Sequence, residues 1–381
     1  MKQYIPLGEV ITKASVERCG GNQFPILSIT MKDGLVLQDE KFKKRIASVD
    51  TSDYKVILRG KLVQGIHIDE ANFGIQDIVD AGIVSPAYKV WDVNDRRIFP
   101  KYLEIIMRSP RSIGFYKSKL NGSVNRRGRM TDDDFLGMLI PVVDYSEQIR
   151  IVDILKRVKG VIAKREHELS VLDDLIKARF VEMFEYGKYP QVEFGEICEY
   201  LRNGANIKQT KGAGGYPITR IETLANDVFN TDRLGYADIF ELGKYDNYLL
   251  KPGDILISHI NSTAYLGRAV QYRGQISSPI IHGMNLLCAR IAKGYNPTYI
   301  EFFFKTPSAK EYISSITKKA VNQASITTSD LKKMMIPAPS LEKQNEFDQF
   351  VAQIDKSKSV IQKSLDETQL LFDSLMQEYF G

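Results

Sequence analysis

Two stretches of the chain carry apolar residues at alternating three- and four-residue spacing. The first runs Leu155, Val158, Ile162, Arg165, Leu169, Leu172, Ile176, Arg179 and Met183. The second runs Val351, Ile354, Lys358, Ile361, Leu365, Thr368, Phe372, Leu375 and Tyr379. This spacing lays a stripe along one face of a helix and reads as a coiled-coil seam with polar interruptions. The interruptions stand at different places in the two stretches, so the helices are expected to pair with each other, antiparallel, with a globular domain at each end. A helix over 146–184 would span about 55–60 Å at ~1.5 Å per residue. The rest of the chain alternates short β-rich runs with Gly, Asn and Asp turns. "YKVILRGKLVQGIHI" and "YLLKPGDILISHI" each read as strand, turn, strand. "PTYIEFFFKTPSAKEYISSI" reads as helical, and "TDDD" and "TTSD" as helix N-caps. The class is α+β.

A repeat organises these elements. Met138–Gln148 reads "MLIPVVDYSEQ" and Met334–Gln344 reads "MMIPAPSLEKQ", 196 positions apart. At that offset Thr131, Asp134, Leu169, Glu182 and Phe184 also meet identical residues, Thr327, Asp330, Leu365, Glu378 and Phe380. Upstream, "YLEIIMRSPR" at Tyr102 meets "YIEFFFKTPS" at Tyr299, while the centres, roughly 30–100 and 222–298, align poorly. Each phrase is expected to be a short strand, stopped by Pro141 or Pro337, that hands over to a long helix. The expected division is a first globular domain over 1–144, a helix over 145–188, a second domain over 189–340 and a second helix over 341–381.

Composition narrows the class without deciding it. The chain has 381 residues, 26% of them charged, and a net charge of +5, which permits a polyanionic partner if the basic residues cluster. Cys19, Cys198 and Cys288 are scattered, giving neither a disulfide framework nor a metal knuckle. With no long apolar run and no leader-like start, a reducing cytoplasm is the expected location.

The motifs that could carry chemistry have plainer readings. "NPTY" at Asn296 looks like an adenine methyltransferase motif, but its repeat partner is "FPKY" at Phe99, which keeps only the Pro and Tyr of a helix start. "GAGG" at Gly212 follows a polar run, not the apolar strand a nucleotide loop needs. His67, His167, His259 and His282 lack ligand spacing, and no metal site, P-loop or nucleophile elbow is present. Binding is therefore expected in place of catalysis. Candidate DNA contacts are Lys117, Lys119, Arg126, Arg127 and Arg129 in the first half. In the second half they are Lys208, Lys211, Arg220, His259, Asn261, Arg268, Lys318, Lys319, Asn322 and Gln323. Lys and Arg suit phosphates and guanine edges, and Asn and Gln suit adenine.

"IPAPSLEKQ" and "IPVVDYSEQ", the helix ends "RFVEMF" and "LMQEYF", and "LKPGDILIS" together resemble the specificity subunits of type I restriction-modification systems. The first copy keeps the Gln but departs from the Pro-x-Leu-x-x-Gln wording. The resemblance implies two target recognition domains, each reading one half of a bipartite DNA site. It implies an antiparallel coiled coil that fixes their separation and docks two modification subunits, with restriction subunits as possible further partners. S-adenosylmethionine, ATP and Mg would belong to those partners, and this chain would catalyse nothing. A tandem protein scaffold without DNA readout is the alternative, and a stand-alone methyltransferase built on "NPTY" is a third.

Overall fold

The computed structural model describes residues 2–42, 44–120, 130–210, 214–319 and 323–381. Packing divides the chain into two compact units, Met1–His167 with Gln362–Gly381, and Glu168–Ile361. Each unit holds one globular part and one stretch of each long helix. Among the described residues no helix is long and apolar enough to cross a membrane.

The first unit contains strands β1 (Gln3–Pro6), β2 (Ile11–Lys13), β3 (Leu62–Gln64), β4 (Phe73–Ile75), β5 (Lys89–Val93) and β6 (Leu139–Val142). Its helices are α1 (Pro100–Met107), α2 (Pro110–Lys119), α3 (Asp132–Leu136) and the first part, to His167, of the long α4 (Tyr145–Phe180). β1 pairs antiparallel with β6, Ile5 opposite Ile140, so the first strand of the part is closed by the strand that precedes α4. Pro141 sits inside β6 opposite Tyr4, and the strand runs on to Val142 instead of ending at the proline. The main sheet has the order β2-β5-β3-β4. Trp91 on β5 is buried, donates from Nε1 to Oε1 of Gln64 at 2.9 Å, and packs on Phe135. "YKVILRGKLVQ" does form two strands, but the first, Lys55–Leu58, pairs with Ala81–Val84 and not with β3.

The second unit contains β7 (Gln191–Glu193), β8 (Cys198–Asn203), β9 (Ile255–Ser258), β10 (Ile260–Asn261), β11 (Ala269–Gln271), β12 (Leu286–Ile291), β13 (Lys318–Lys319), β14 (Ala324–Ser325) and β15 (Met335–Pro337). Its helices are α5 (Pro297–Phe303), α6 (Pro307–Ser315), α7 (Thr328–Lys332) and the first part, to Ile361, of the long α8 (Leu341–Phe380). β7 pairs with β15 as β1 does with β6. The main sheet has the order β8-β12-β9-β11, the same topology as in the first unit. The repeat therefore runs through the centres that the sequence comparison could not align. The predicted single helix over 297–316 is two helices. Thr306 caps the second and Pro307 starts it, because proline fits a first helical turn and not a helix interior.

The caps read from "TDDD" and "TTSD" are present. The hydroxyl of Thr131 accepts from the Asp134 amide at 3.0 Å, and that of Thr327 from the Asp330 amide at 3.1 Å. "NPTY" is a helix start whose Asn296 side chain accepts from the Thr298 amide at 2.9 Å.

The repeated glutamine explains why the phrase is written twice. Gln148 is buried and donates from Nε2 to the carbonyls of Arg97 and Val143, while its Oε1 accepts from the Phe99 amide at 2.8 Å. Gln344 donates to the Pro339 carbonyl and accepts from the Asn296 amide, both at 2.8 Å. Each side chain bolts the first turn of a long helix to the loop that enters α1 or α5. Gln344→Leu removes both bonds and leaves two backbone groups without partners. The expected cost is roughly 2–4 kcal/mol, read as a lower melting temperature, with Gln344→Glu intermediate because it keeps the acceptor. A Leu variant that melts with the wild type would contradict this role.

The seam residues named from the sequence are the less exposed positions of α4 and α8. In the second unit the helices run antiparallel, since Asp173 meets Lys358 at 2.6 Å while Arg179 meets Glu346 at 3.0 Å. In the first unit Ile151 and Leu155 share a core with Met376 and Phe380, and Lys159 lies over the Phe372 ring. The polar interruptions Lys358 and Arg179 are answered by carboxylates beside the seam, not by one another. Each helix ends in an aromatic plug. Phe380 packs on Tyr102, ring centroids 5.3 Å apart, and Phe184, in the π-helical turn after α4, packs on Tyr299 at 4.8 Å. The helix that follows one globular part thus completes the core of the other.

Candidate nucleic-acid interface

In the second unit the chain leaves the core sheet at Ser258, makes β10, and returns through Arg268 to β11. β10 pairs with β14, and β14 with β13, giving a small antiparallel sheet of order β10-β14-β13. Its register sets Asn261 opposite Ala324, and Ala324 opposite Lys319. Candidates that stand far apart in the sequence, Asn261 and the Lys318–Lys319 pair, are therefore held in one sheet. Lys318, Lys319 and Gln323 are exposed, as are Ser262 to Tyr265 in the turn beyond β10. Asn261 is half-buried; its Nδ2 donates to the Ser258 hydroxyl at 3.4 Å and its Oδ1 accepts from the Ser262 amide at 2.8 Å. Lys318 lies 4.0 Å from Asp330, a solvated pair that leaves the ammonium accessible.

Two of the expected contacts are placed differently. The His259 side chain is buried, and burial alone pushes its pKa down, so it is a neutral support under β10 and not an open surface group. Arg268 is spent on internal work. Its Nε meets Asp227 at 2.7 Å, its Nη1 donates to the Leu224 carbonyl at 2.9 Å, and its guanidinium covers the Tyr265 ring. It braces the base of the exposed turn against the 224–227 loop, in which Asn226 and Asp227 hold left-handed backbone (φ +57° and +59°).

The other candidates are dispersed. Lys208 is exposed on a loop, and Arg220 pairs with Glu222 at 3.5 Å. In the first unit Lys117 is exposed near the end of α2, and Lys119 pairs with Asp134 at 2.9 Å. The Lys119 contact, seconded by Thr131, holds the Asp134 carboxyl below its ordinary pKa. Arg126, Arg127, Arg129, Lys211 and Asn322 lie outside the described residues. No group of three or more His, Cys, Asp or Glu able to hold a metal occurs among the described residues.

The sheet beneath this surface rests on a buried ion pair that the sequence reading missed. Asp254 is 1% exposed and takes two hydrogen bonds from Arg290, Nε to Oδ1 and Nη2 to Oδ2, both 2.7 Å. The Tyr200 ring covers the same guanidinium. Nearby, burial and then the charge of Arg202 push His282 down to about 4. The neutral imidazole therefore contributes stability in full above the ordinary pKa of ~6.5, and that contribution is lost as pH falls from there toward 4. The change is about 3 kcal/mol. Melting temperature followed from pH 7 to 4 should drop less steeply for His282→Asn than for the wild type. Parallel curves would rule this out.

Residues 187–368 match the family model described as the Type I restriction modification DNA specificity domain. These residues belong to that family. A protein assigned as the type I restriction enzyme MjaX specificity subunit of Methanocaldococcus jannaschii is 35% identical over 217 residues, 56% of this chain and 51% of that one. The EcoKI specificity subunit of Escherichia coli strain K12 is 24% identical over 214 residues, 55% of this chain and 46% of that one. The chain thus spans about half the length of the curated relatives it matches. Two solved structures share the fold along its whole length. One, from work on complex assembly and conformational transition of the type I R-M system, has a TM-score of 0.58 at 21% identity over 97% of that chain. The other, a type I restriction-modification S subunit from M. genitalium, has a TM-score of 0.56 at 12% identity over 96% of that chain. The specificity domain matched by the family model contains the whole β10-β14-β13 sheet.

Proposed function

We propose that the chain is the DNA-reading subunit of a type I restriction-modification complex. Each globular part reads one half of a bipartite duplex site, and the two long helices carry the interval between the halves and dock modification subunits. Recognition belongs to this chain. Methyl transfer, with its S-adenosylmethionine, and any ATP- and Mg-dependent cleavage belong to partner subunits. The observation that carries the reading is the small sheet of the second unit. There Asn261 and Lys319 flank Ala324 in register, and Lys318, Lys319 and Gln323 beside them are exposed, within the specificity domain. β-ribbons of this size enter a major groove, ammonium groups take phosphates, and amides read adenine. The two parts share a sheet but differ in their exposed residues, so the two half-sites differ in sequence.

Fluorescence anisotropy on a duplex tests this. With about four to six phosphates neutralised, log affinity should fall against log salt with a slope of roughly −4 to −5. Lys318→Ala with Lys319→Ala should make that slope shallower by about 1–2. Exchanging residues 1–144 for another such domain should change one half-site and leave the other alone. Absence of duplex binding at low salt, even with modification subunits present, would leave the protein scaffold as the better description.

A further inference from the structure

The two core sheets can be superposed residue by residue from their registers. Leu62, Val63 and Gln64 stand opposite Trp91, Val90 and Lys89 on one side and Ile75, Gly74 and Phe73 on the other. Ile255, Leu256 and Ile257 stand opposite Ala289, Cys288 and Leu287 on one side and Gln271, Val270 and Ala269 on the other. The next residue closes the loop in the same way in both: Gly65 donates its amide to Asn72 at 2.7 Å, and Ser258 donates its amide to Arg268 at 2.9 Å. The loop 66–71 therefore occupies the place of the loop that carries β10 and Asn261.

This loop has the character of a contact surface. Ile66 is 63% exposed although it directly follows a buried strand, and His67 and Glu70 are exposed beside it. A bare isoleucine at a hairpin tip costs hydration, and Ile66 joins none of the hydrophobic clusters among the described residues. Ile68 turns inward instead and shares the core with Tyr116 of α2, fixing the turn against the helix whose last turn carries Lys117 and Lys119. Ala71 holds left-handed backbone at φ +55°, an unfavourable conformation for a residue with a Cβ, and so fixes the shape of the tip.

Resting on the DNA-reading function above, we infer that Ile66, His67 and Glu70 are the base-reading tip of the first unit. The three side chains define the chemistry they take. Isoleucine packs on a thymine methyl, imidazole donates to a guanine edge, and a carboxylate accepts from the cytosine amino group while repelling phosphates. The tip reads base edges, and the lysines of α2 supply the backbone contacts.

Selection of a random duplex library on the full chain, assembled with modification subunits, tests the assignment. Glu70→Gln and His67→Ala, both at exposed positions, are expected to relax base preference at least tenfold at one or two pairs of a single half-site. Asn261→Ala should do so only in the other half. Circular dichroism confirms that each variant is folded, and Ile66→Ala provides a third probe. Unchanged base preferences for all three tip variants, with Asn261→Ala active on its own half, would overturn the inference and leave the DNA-reading function standing. A wild-type chain that enriches no sequence would overturn both.

Discussion

Asp254→Ala is expected to destabilise the second unit by about 3–5 kcal/mol, because it strands a charge that has little access to water. The Arg290 side chain is only 19% exposed, and its two hydrogen bonds to Asp254 are both 2.7 Å. The same carboxylate accepts from the Lys251 amide at 2.7 Å, pinning the Pro-Gly turn in which Gly253 adopts φ +98°. Alanine removes all three bonds at once. Asn keeps an acceptor for the turn but offers Arg290 no charge, so Asp254→Asn should fall between alanine and the wild type. Melting temperature checks the size of the effect, and hydrogen exchange over 250–258 and 286–291 checks its place. A loss under about 1 kcal/mol would mean that the pair contributes little beyond its own desolvation cost. Because β9 leads straight into His259 and Asn261, the alanine variant should also loosen the β10-β14-β13 sheet and weaken the duplex binding proposed above.

Phe380→Ala should cost the first unit about 3–5 kcal/mol, the usual penalty for emptying a large aromatic site. Phe380 is 1% exposed and packs on Tyr102 among Ile106, Met107, Ile140 and Leu155. Its position in the chain would assign the damage to the second globular part, whereas its contacts assign it to the first. Hydrogen exchange should therefore rise in α1 and leave β9 and β12 protected. The mirror variant, Phe184→Ala, should reverse the pattern, opening the site around Tyr299, Phe180 and Phe347. Exchange rising over 255–258 in Phe380→Ala would contradict the assignment.

The helices were legible because a 3.6-residue period survives polar interruption, and the caps because Thr three residues before Asp has a local meaning. The break at Thr306 was also written locally, as a Thr-Pro pair inside an apolar run. The shared core sheet was hidden. Its equivalent positions pair Leu62 with Ile255, Val63 with Leu256, Gln64 with Ile257 and Phe73 with Ala269. Such exchanges conserve the fold while redistributing volume between neighbours. For the site, Asn261 and Lys319 could each be named from residue type, but their meeting across Ala324 depends on strand pairing over some sixty residues. The burial of His259 and the internal pairing of Arg268 left no local signal. His67 is exposed at its loop tip, a placement that residue type alone does not signal.

The placing of the two aromatic plugs also bears on synthesis. Tyr102 leaves the ribosome 278 residues before Phe380 does. Until then the first globular part carries an open apolar socket, although every strand of its own sheet has already been made. It cannot reach full stability as a nascent domain, as most first domains do. Its completion waits for the helix made after its neighbour, so the folding of the first globular part is settled by one late event.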